Sequence, residues 1–286
     1  MENTAPPPPL SWLNGLPPLR TVIAQHGLAA HKSLGQHFLL DANITDKIVR
    51  LSGDLSAAHV VEIGPGPGGL TRALLASPAL SVTAIERDDR CIAALESLVE
   101  GAAGRFTLIN GDAMKIDVTQ IVTAPRIIIA NLPYNIGTEL LIGWLRQYRE
   151  ITSMSLMFQR EVAERLYATP SNKNYGRLAV LAQACCYVEK LFHLPARAFT
   201  PPPKVDSTVV HFRPRSDGPD DRLLAMLERI TAAAFGQRRK MLRSSLASVQ
   251  GELLLERTGI TPTDRAESIA VLDFLRLAQC ALDHGV

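Results

Sequence analysis

From His59 to Gln159 the sequence alternates short apolar runs with helix-like periods, and this alternation narrows the fold more than any other feature. HVVEIG (59–64), SVTAIER (81–87), RFTLING (105–111), RIIIANL (126–132) and ITSMSLMFQ (151–159) read as strands. Between them GGLTRALLAS (68–77), DRCIAALESLV (89–99) and TELLIGWLRQY (138–148) place apolar residues at helical spacing. Strands separated by helices of this length imply a parallel sheet with helices on both faces. YVEKLFHL (187–194) and STVVHFRP (207–214) flank AFTPPPKVD and are expected to be two late strands that close one side, making a sheet of seven. After the polar stretch SDGPDD (216–221) only helical patterns remain, such as Leu223, Leu227, Ile230 and Ala234. The expected organisation is therefore α/β: a central, mostly parallel seven-stranded sheet over residues 31–214, then a small all-helical domain over 215–286.

The first 30 residues are set apart by composition. Six of the first 18 are prolines, which favours an extended arm over packed structure. The arm has no basic stretch leading into an apolar core, so a secretory signal is not expected. Over the whole chain 47% hydrophobic and 20% charged residues suit a protein that buries a full core. No apolar run approaches the length of a membrane span. Cys91, Cys185, Cys186 and Cys280 have no metal-ligand spacing, so the expectation is a reduced, cytoplasmic setting and no metal. A net charge of +2 does not announce a nucleic-acid partner; local clustering has to be examined instead.

VVEIGPGPGG places Gly64, Gly66, Gly68 and Gly69 at the end of the first strand, opening a helix. Glycine there lets the backbone turn tightly and approach a ligand, and the open end of a parallel sheet is where such ligands bind. Gly64, Gly66 and Gly69 also satisfy the dinucleotide pattern GxGxxG. Glu86, ending the second strand, can accept from ribose hydroxyls. NAD and an adenosyl cofactor share that ribose, so Glu86 does not separate them. Asp112, in NGDAM after the third strand, is placed either to accept from an adenine amine or to cap a helix. A nucleoside cofactor follows; its identity does not.

The fourth strand ends in Asn131-Leu132-Pro133-Tyr134. An aromatic exocyclic amine is a poor nucleophile because its lone pair is delocalised into the ring. Two acceptors that hold both N–H groups favour the tetrahedral geometry it needs for attack. The Asn131 side-chain oxygen and the Leu132 carbonyl supply such a pair, Pro133 stiffens the turn, and Tyr134 offers a ring on which a base stacks. Positioning and charge placement would then do most of the catalysis, with no strong base needed before attack.

VVEIGPGPGGLT, AIERD, NGDAM and NLPYNIGT, with KSLGQHFLLD before them and FTPPPKVDSTVV and FGQRRKMLRSSL after, resemble the small-subunit ribosomal RNA adenine dimethyltransferases, the KsgA family. The resemblance runs from about Lys32 to the last helix. It implies a Rossmann-like class I methyltransferase that uses S-adenosylmethionine to dimethylate N6 of two adjacent adenosines in a hairpin loop near the 3′ end of small-subunit rRNA. It also implies binding to an immature small ribosomal subunit, with the enzyme a monomer. By motif, His37, Leu39, Gly64, Gly66, Glu86, Asp112 and Asn131 contact the cofactor, and Tyr134 and Phe199 sandwich the target adenine, as base-modifying enzymes do with a flipped base. His37 stands where many members carry Asn, and Gly137 where many carry Ser.

No acidic residue occurs between Glu228 and Glu252, whereas Arg229, Arg238, Arg239, Lys240 and Arg243 do. Arg238, Arg239, Lys240 and Arg243 are therefore candidate phosphate contacts, with Lys32 and Lys204 as weaker ones. Three other readings remain open. A relative could modify another amine, in large-subunit rRNA, DNA or a protein glutamine. An NAD oxidoreductase would leave NLPY unexplained. An inactive RNA-binding factor would not need Glu86, Asp112 and Asn131 intact.

Overall fold

The computed structural model describes residues 11–28 and 36–286. Lys32 and the start of KSLGQHFLLD lie outside the described residues, as do the first ten. The chain forms two compact units, one built from residues 1–160 and 190–212 and the other from 161–189 and 213–286.

The first unit carries the sheet. In chain order its described elements are α1 (Leu19–Gln25), β1 (Phe38–Leu39), α2 (Ala42–Leu51), β2 (His59–Ile63), α3 (Gly69–Ala76), β3 (Ser81–Glu86), α4 (Asp89–Gly101), β4 (Phe106–Asn110), α5 (Val118–Ile121), β5 (Arg126–Asn131), α6 (Gly137–Leu145) and β6 (Ser153–Gln159). The chain then passes through α7 (Arg160–Leu166) and α8 (Arg177–Cys185), which fall in the second unit but for Arg160, before β7 (Cys186–Leu194), β8 (Phe199–Thr200) and β9 (Ser207–Pro214). The seven-stranded order is β4-β3-β2-β5-β6-β9-β7. β2, β3, β4, β5 and β6 pair in parallel and β9 runs antiparallel to β6. The expected mostly parallel sheet of seven is thus present, with the two late strands along one side.

The chain leaves β2 for β3 and β4, then returns to place β5 on the other side of β2. A crevice opens at the carboxyl ends of strands where the order reverses in this way. Val60, Val61, Ile127, Ile128 and Ile129 are buried to 3% exposure or less, which is why these strands read as unbroken apolar runs. Burying each such side chain contributes about 1.5–3 kcal/mol. Three helices of this unit begin where a side chain satisfies a free amide. Asp41, Asp88 and Asp117 accept from the backbones of Asn43, Arg90 and Thr119 at the starts of α2, α4 and α5.

Two expectations are corrected. The described part of the arm is packed rather than extended: Trp12, Leu13 and Leu16 lie against the sheet core, and Arg72 donates to the Pro17 carbonyl at 2.8 Å. Those apolar side chains leave water on packing, a gain that proline content does not register. The boundary between units is also not a single cut at 214. Residues 161–189, containing most of α7 and all of α8, belong with the C-terminal helices α9 (Asp221–Gly236), α10 (Leu242–Ser245), α11 (Gly251–Thr258) and α12 (Val271–Asp283). Tyr175, fully buried, donates its hydroxyl to the Ile269 carbonyl at 3.1 Å. Its ring meets Phe235 edge-on, and Phe235 meets Phe274.

Candidate active site

One cavity at the switch point is lined by His37, Leu39, Gly64, Gly66, Glu86, Asp112, Asn131, Leu132 and Tyr134. These come from β1 and the residue before it, from the loops after β2 and β4, from the end of β3, and from the end of β5 and the turn after it. Gly64, Gly66 and Gly68 all adopt positive φ, and at two glycines the surroundings also exclude a side chain. A Cβ on Gly66 would stand 3.1 Å from the Phe38 ring, and one on Gly69 would stand 2.4 Å from the Leu39 carbonyl oxygen. The loop after β2 is thereby pressed against the segment that covers it.

Glu86 is 7% exposed. Its Oε1 accepts from the Arg87 and Asp88 amides at 2.7 and 2.8 Å, and Oε2 accepts from the Gly66 amide at 3.1 Å. Oε1 is therefore already occupied, and the remaining acceptor capacity lies on Oε2. Burial raises its pKa, opposed by those same amide bonds. Asp112 Oδ1 accepts from the Met114 amide at 3.0 Å, an aspartate turn that holds Met114 and Ala113 at the cavity wall. Its Oδ2 lies 3.7 Å from the Arg87 guanidinium.

Asn131 is oriented by its own contact. Its Nδ2 donates to the His37 carbonyl at 3.1 Å, which leaves Oδ1 as the end free to accept. The His37 ring pairs through Nδ1 with the Pro201 carbonyl at 2.8 Å, so Nδ1 carries the proton, and the ring lies 5.4 Å from that of Tyr134. Phe199 differs from expectation. It is 2% exposed, belongs to the core cluster with Leu39, Met157 and Val209, and is not part of the cavity wall. It is registered opposite Leu39 in the short β1–β8 ribbon and packs into the core there.

Sequence reasoning missed four contributors. Gln36 donates to Asp88 at 2.9 Å and fastens the covering segment across the cavity. Asp88, bonded to Arg90 and Gln36, is held at a pKa of about 2. Glu62 lines the cavity at 1% exposure, accepts from Thr71 at 2.7 Å, and is pushed up to about 8 by burial. Ser207 bonds the Tyr134 hydroxyl. The acidic letters in VVEIG beside the glycine loop and in AIERD after the second strand were a readable signal for Glu62 and Asp88. The Gln36 and Ser207 contacts span 52 and 73 residues and left no local trace.

In the helical unit, Arg239, Lys240 and Arg243 are exposed. Arg238 is committed within the unit, to Glu267 at 2.8 Å and to the Lys173 carbonyl at 2.6 Å. The acid-free window in the sequence does not protect it, because Glu267 arrives from elsewhere in the chain.

The model of the family described as Ribosomal RNA adenine dimethylase matches residues 27–283. The chain belongs to this family. It is 57% identical over 269 residues to Ribosomal RNA small subunit methyltransferase A of Paramagnetospirillum magneticum, covering 94% of this chain and 95% of that one. With the protein of the same name from Sinorhizobium fredii it shares 52% over 280 residues, covering 97% and 94%. The crystal structure of a dimethyladenosine transferase from Plasmodium falciparum superposes with a TM-score of 0.75 at 28% identity, covering 87% of this chain and 99% of that one.

The protein is accordingly an S-adenosylmethionine-dependent methyltransferase, and the cavity suits that cofactor. Glu86, Asp88 and Asp112 line it, with Arg87 the one cation among the described lining residues, while Glu62, pushed up to about 8, keeps its proton at neutral pH. Such walls disfavour the pyrophosphate of a dinucleotide and favour a ligand that carries a sulfonium and an ammonium.

Proposed function

We propose that this protein dimethylates N6 of two adjacent adenosines in a hairpin loop near the 3′ end of small-subunit rRNA, acting as a cytoplasmic monomer on an immature small ribosomal subunit. The observation that carries the reading is the orientation of Asn131, whose amide nitrogen is engaged by the His37 carbonyl so that Oδ1 is left for an amine. The names of the curated relatives support the small-subunit substrate.

Bound S-adenosylmethionine supplies an electrophilic methyl group. Glu86 Oε2 would take a ribose hydroxyl, Asp112 would accept from the cofactor's adenine amine, and Phe38, Leu39, Ile85 and Met114 would supply apolar wall around it. At the target, Asn131 Oδ1 and the Leu132 carbonyl accept the two N–H groups and turn the nitrogen lone pair out of conjugation. Tyr134 stacks on the base. The amine becomes acidic only on gaining its new bond, so its proton passes to water without a dedicated base. Arg239, Lys240 and Arg243, in the helical unit, neutralise RNA phosphates.

The test is transfer of labelled methyl groups to unmethylated small subunits, followed by mapping of the modified nucleotide. Dimethyladenosine at two neighbouring loop positions is the expected result. Label confined to large-subunit RNA, or subunit binding without transfer, would overturn the proposal.

A further inference from the structure

We infer that Ser207 is a positioning residue that sets the yield of the second methyl transfer, acting through the hydroxyl of Tyr134. The two oxygens are 2.6 Å apart. Ser207 is fully buried at the start of β9, and its backbone is registered opposite Gln159 of β6. The anchor is thus part of the sheet and not of a loop. Tyr134 is half-buried in the turn after β5, and burial raises its pKa, so the hydroxyl stays protonated and the bond neutral. Beside the ring stands His37, itself tied to the Pro201 carbonyl. Both supports come from the stretch 201–207, which gives that motif a task other than the one expected of Phe199.

The consequence differs between the two transfers, and it rests on the reading of Tyr134 as the ring that stacks on the target base. In each transfer the N6 lone pair forms the new N–C bond. The S–C bond breaks with its electrons going to sulfur, and one N–H proton leaves to water. The first substrate offers two N–H groups to the acceptors at Asn131 and Leu132. The monomethylated base offers one. With half the in-plane hold gone, its placement depends more on stacking against Tyr134, and any looseness of that ring penalises the second transfer more than the first.

The experiment compares Ser207→Ala, Tyr134→Phe, their double variant and Tyr134→Ala in the full chain. Monomethyl- and dimethyladenosine are quantified after reaction with unmethylated small subunits. Each of the first two removes the same hydrogen bond, and Tyr134→Phe does so from the half-buried end without opening a hole in the sheet. Both should raise the mono-to-dimethyl ratio by roughly three- to tenfold, in line with one net hydrogen bond, and the double variant should add nothing further. A loop RNA carrying 2-aminopurine at the target position provides a readout without transfer. Its quenching on binding should weaken in the same variants.

An unchanged ratio, equal slowing of both transfers, or additive effects in the double variant would overturn the inference. If Tyr134→Ala transfers both methyl groups normally, the stacking role itself fails. If Tyr134→Ala is inactive while Ser207→Ala keeps the normal ratio, only the tether fails.

Discussion

Glu62→Gln should uncouple the stability of the protein from alkaline pH. The wild-type carboxyl lies 1% exposed beneath the glycine loop with a hydroxyl donor in Thr71. Burial raises its folded value to about 8 from the ordinary 4.5. Between those limits the native state holds a proton that the unfolded chain has released, so stability is full below 4.5 and is lost as pH rises through 8. At about 1.4 kcal/mol per pH unit the whole span corresponds to roughly 5 kcal/mol. Water entering around an ionised buried carboxylate lowers this, and about 2–5 kcal/mol is the expected loss. Glutamine keeps the shape and never ionises. At 2–4 °C per kcal/mol for a domain of this size, the variant should melt at least about 4 °C above wild type at pH 9, and close to it at pH 5. Thermal denaturation of the cofactor-free protein across that range is the assay. Parallel curves for the two proteins would refute the reasoning.

Three further outcomes concern the covering segment and the helical unit. Gly69→Ala puts a Cβ 2.4 Å from the Leu39 carbonyl oxygen; calorimetry should show weakened cofactor binding together with a loss of about 1–3 kcal/mol in stability. Arg238→Ala should lower stability by about 1 kcal/mol through loss of its bonds to Glu267 and Lys173. Arg239→Ala and Lys240→Ala should leave the melting temperature alone and each reduce the salt dependence of RNA binding by roughly one counterion, read from affinities over a salt series.

The sheet was legible because its signal is local. Unbroken apolar runs such as Ile127–Ile129 mark a strand buried on both faces, and the apolar spacing between runs marks the covering helices. The cavity was legible for a similar reason: in an α/β fold its walls are the residues just past each strand, so Gly64, Glu86, Asp112 and Asn131 could be placed before their contacts were known. What escaped depends on pairs distant in sequence. α8 sits in an apolar stretch, RLAVLAQACC, whose letters do not choose between helix and strand. Nothing near it says that Tyr175 will bond Ile269. Phe199 carries the right side chain for stacking, but it packs in the core cluster with Leu39 and Val209. Arg238 looked free because the sequence around it lacks acids, whereas the fold supplies Glu267.

Methyl transfer by Asn131→Ala, with cofactor affinity and melting temperature measured on the same preparation, tests whether the end of β5 performs the reaction. On the proposed reading Asn131 would supply a fixed acceptor to the attacking amine, a contact of the kind whose loss slows chemistry by about a hundredfold or more. The expected result is a fall of at least that size in transfer to small subunits, with the fold intact and the cofactor bound within roughly tenfold of wild-type affinity, one hydrogen bond's worth. Transfer within a few fold of wild type would contradict the assignment and move the chemistry away from Asn131-Leu132-Pro133-Tyr134.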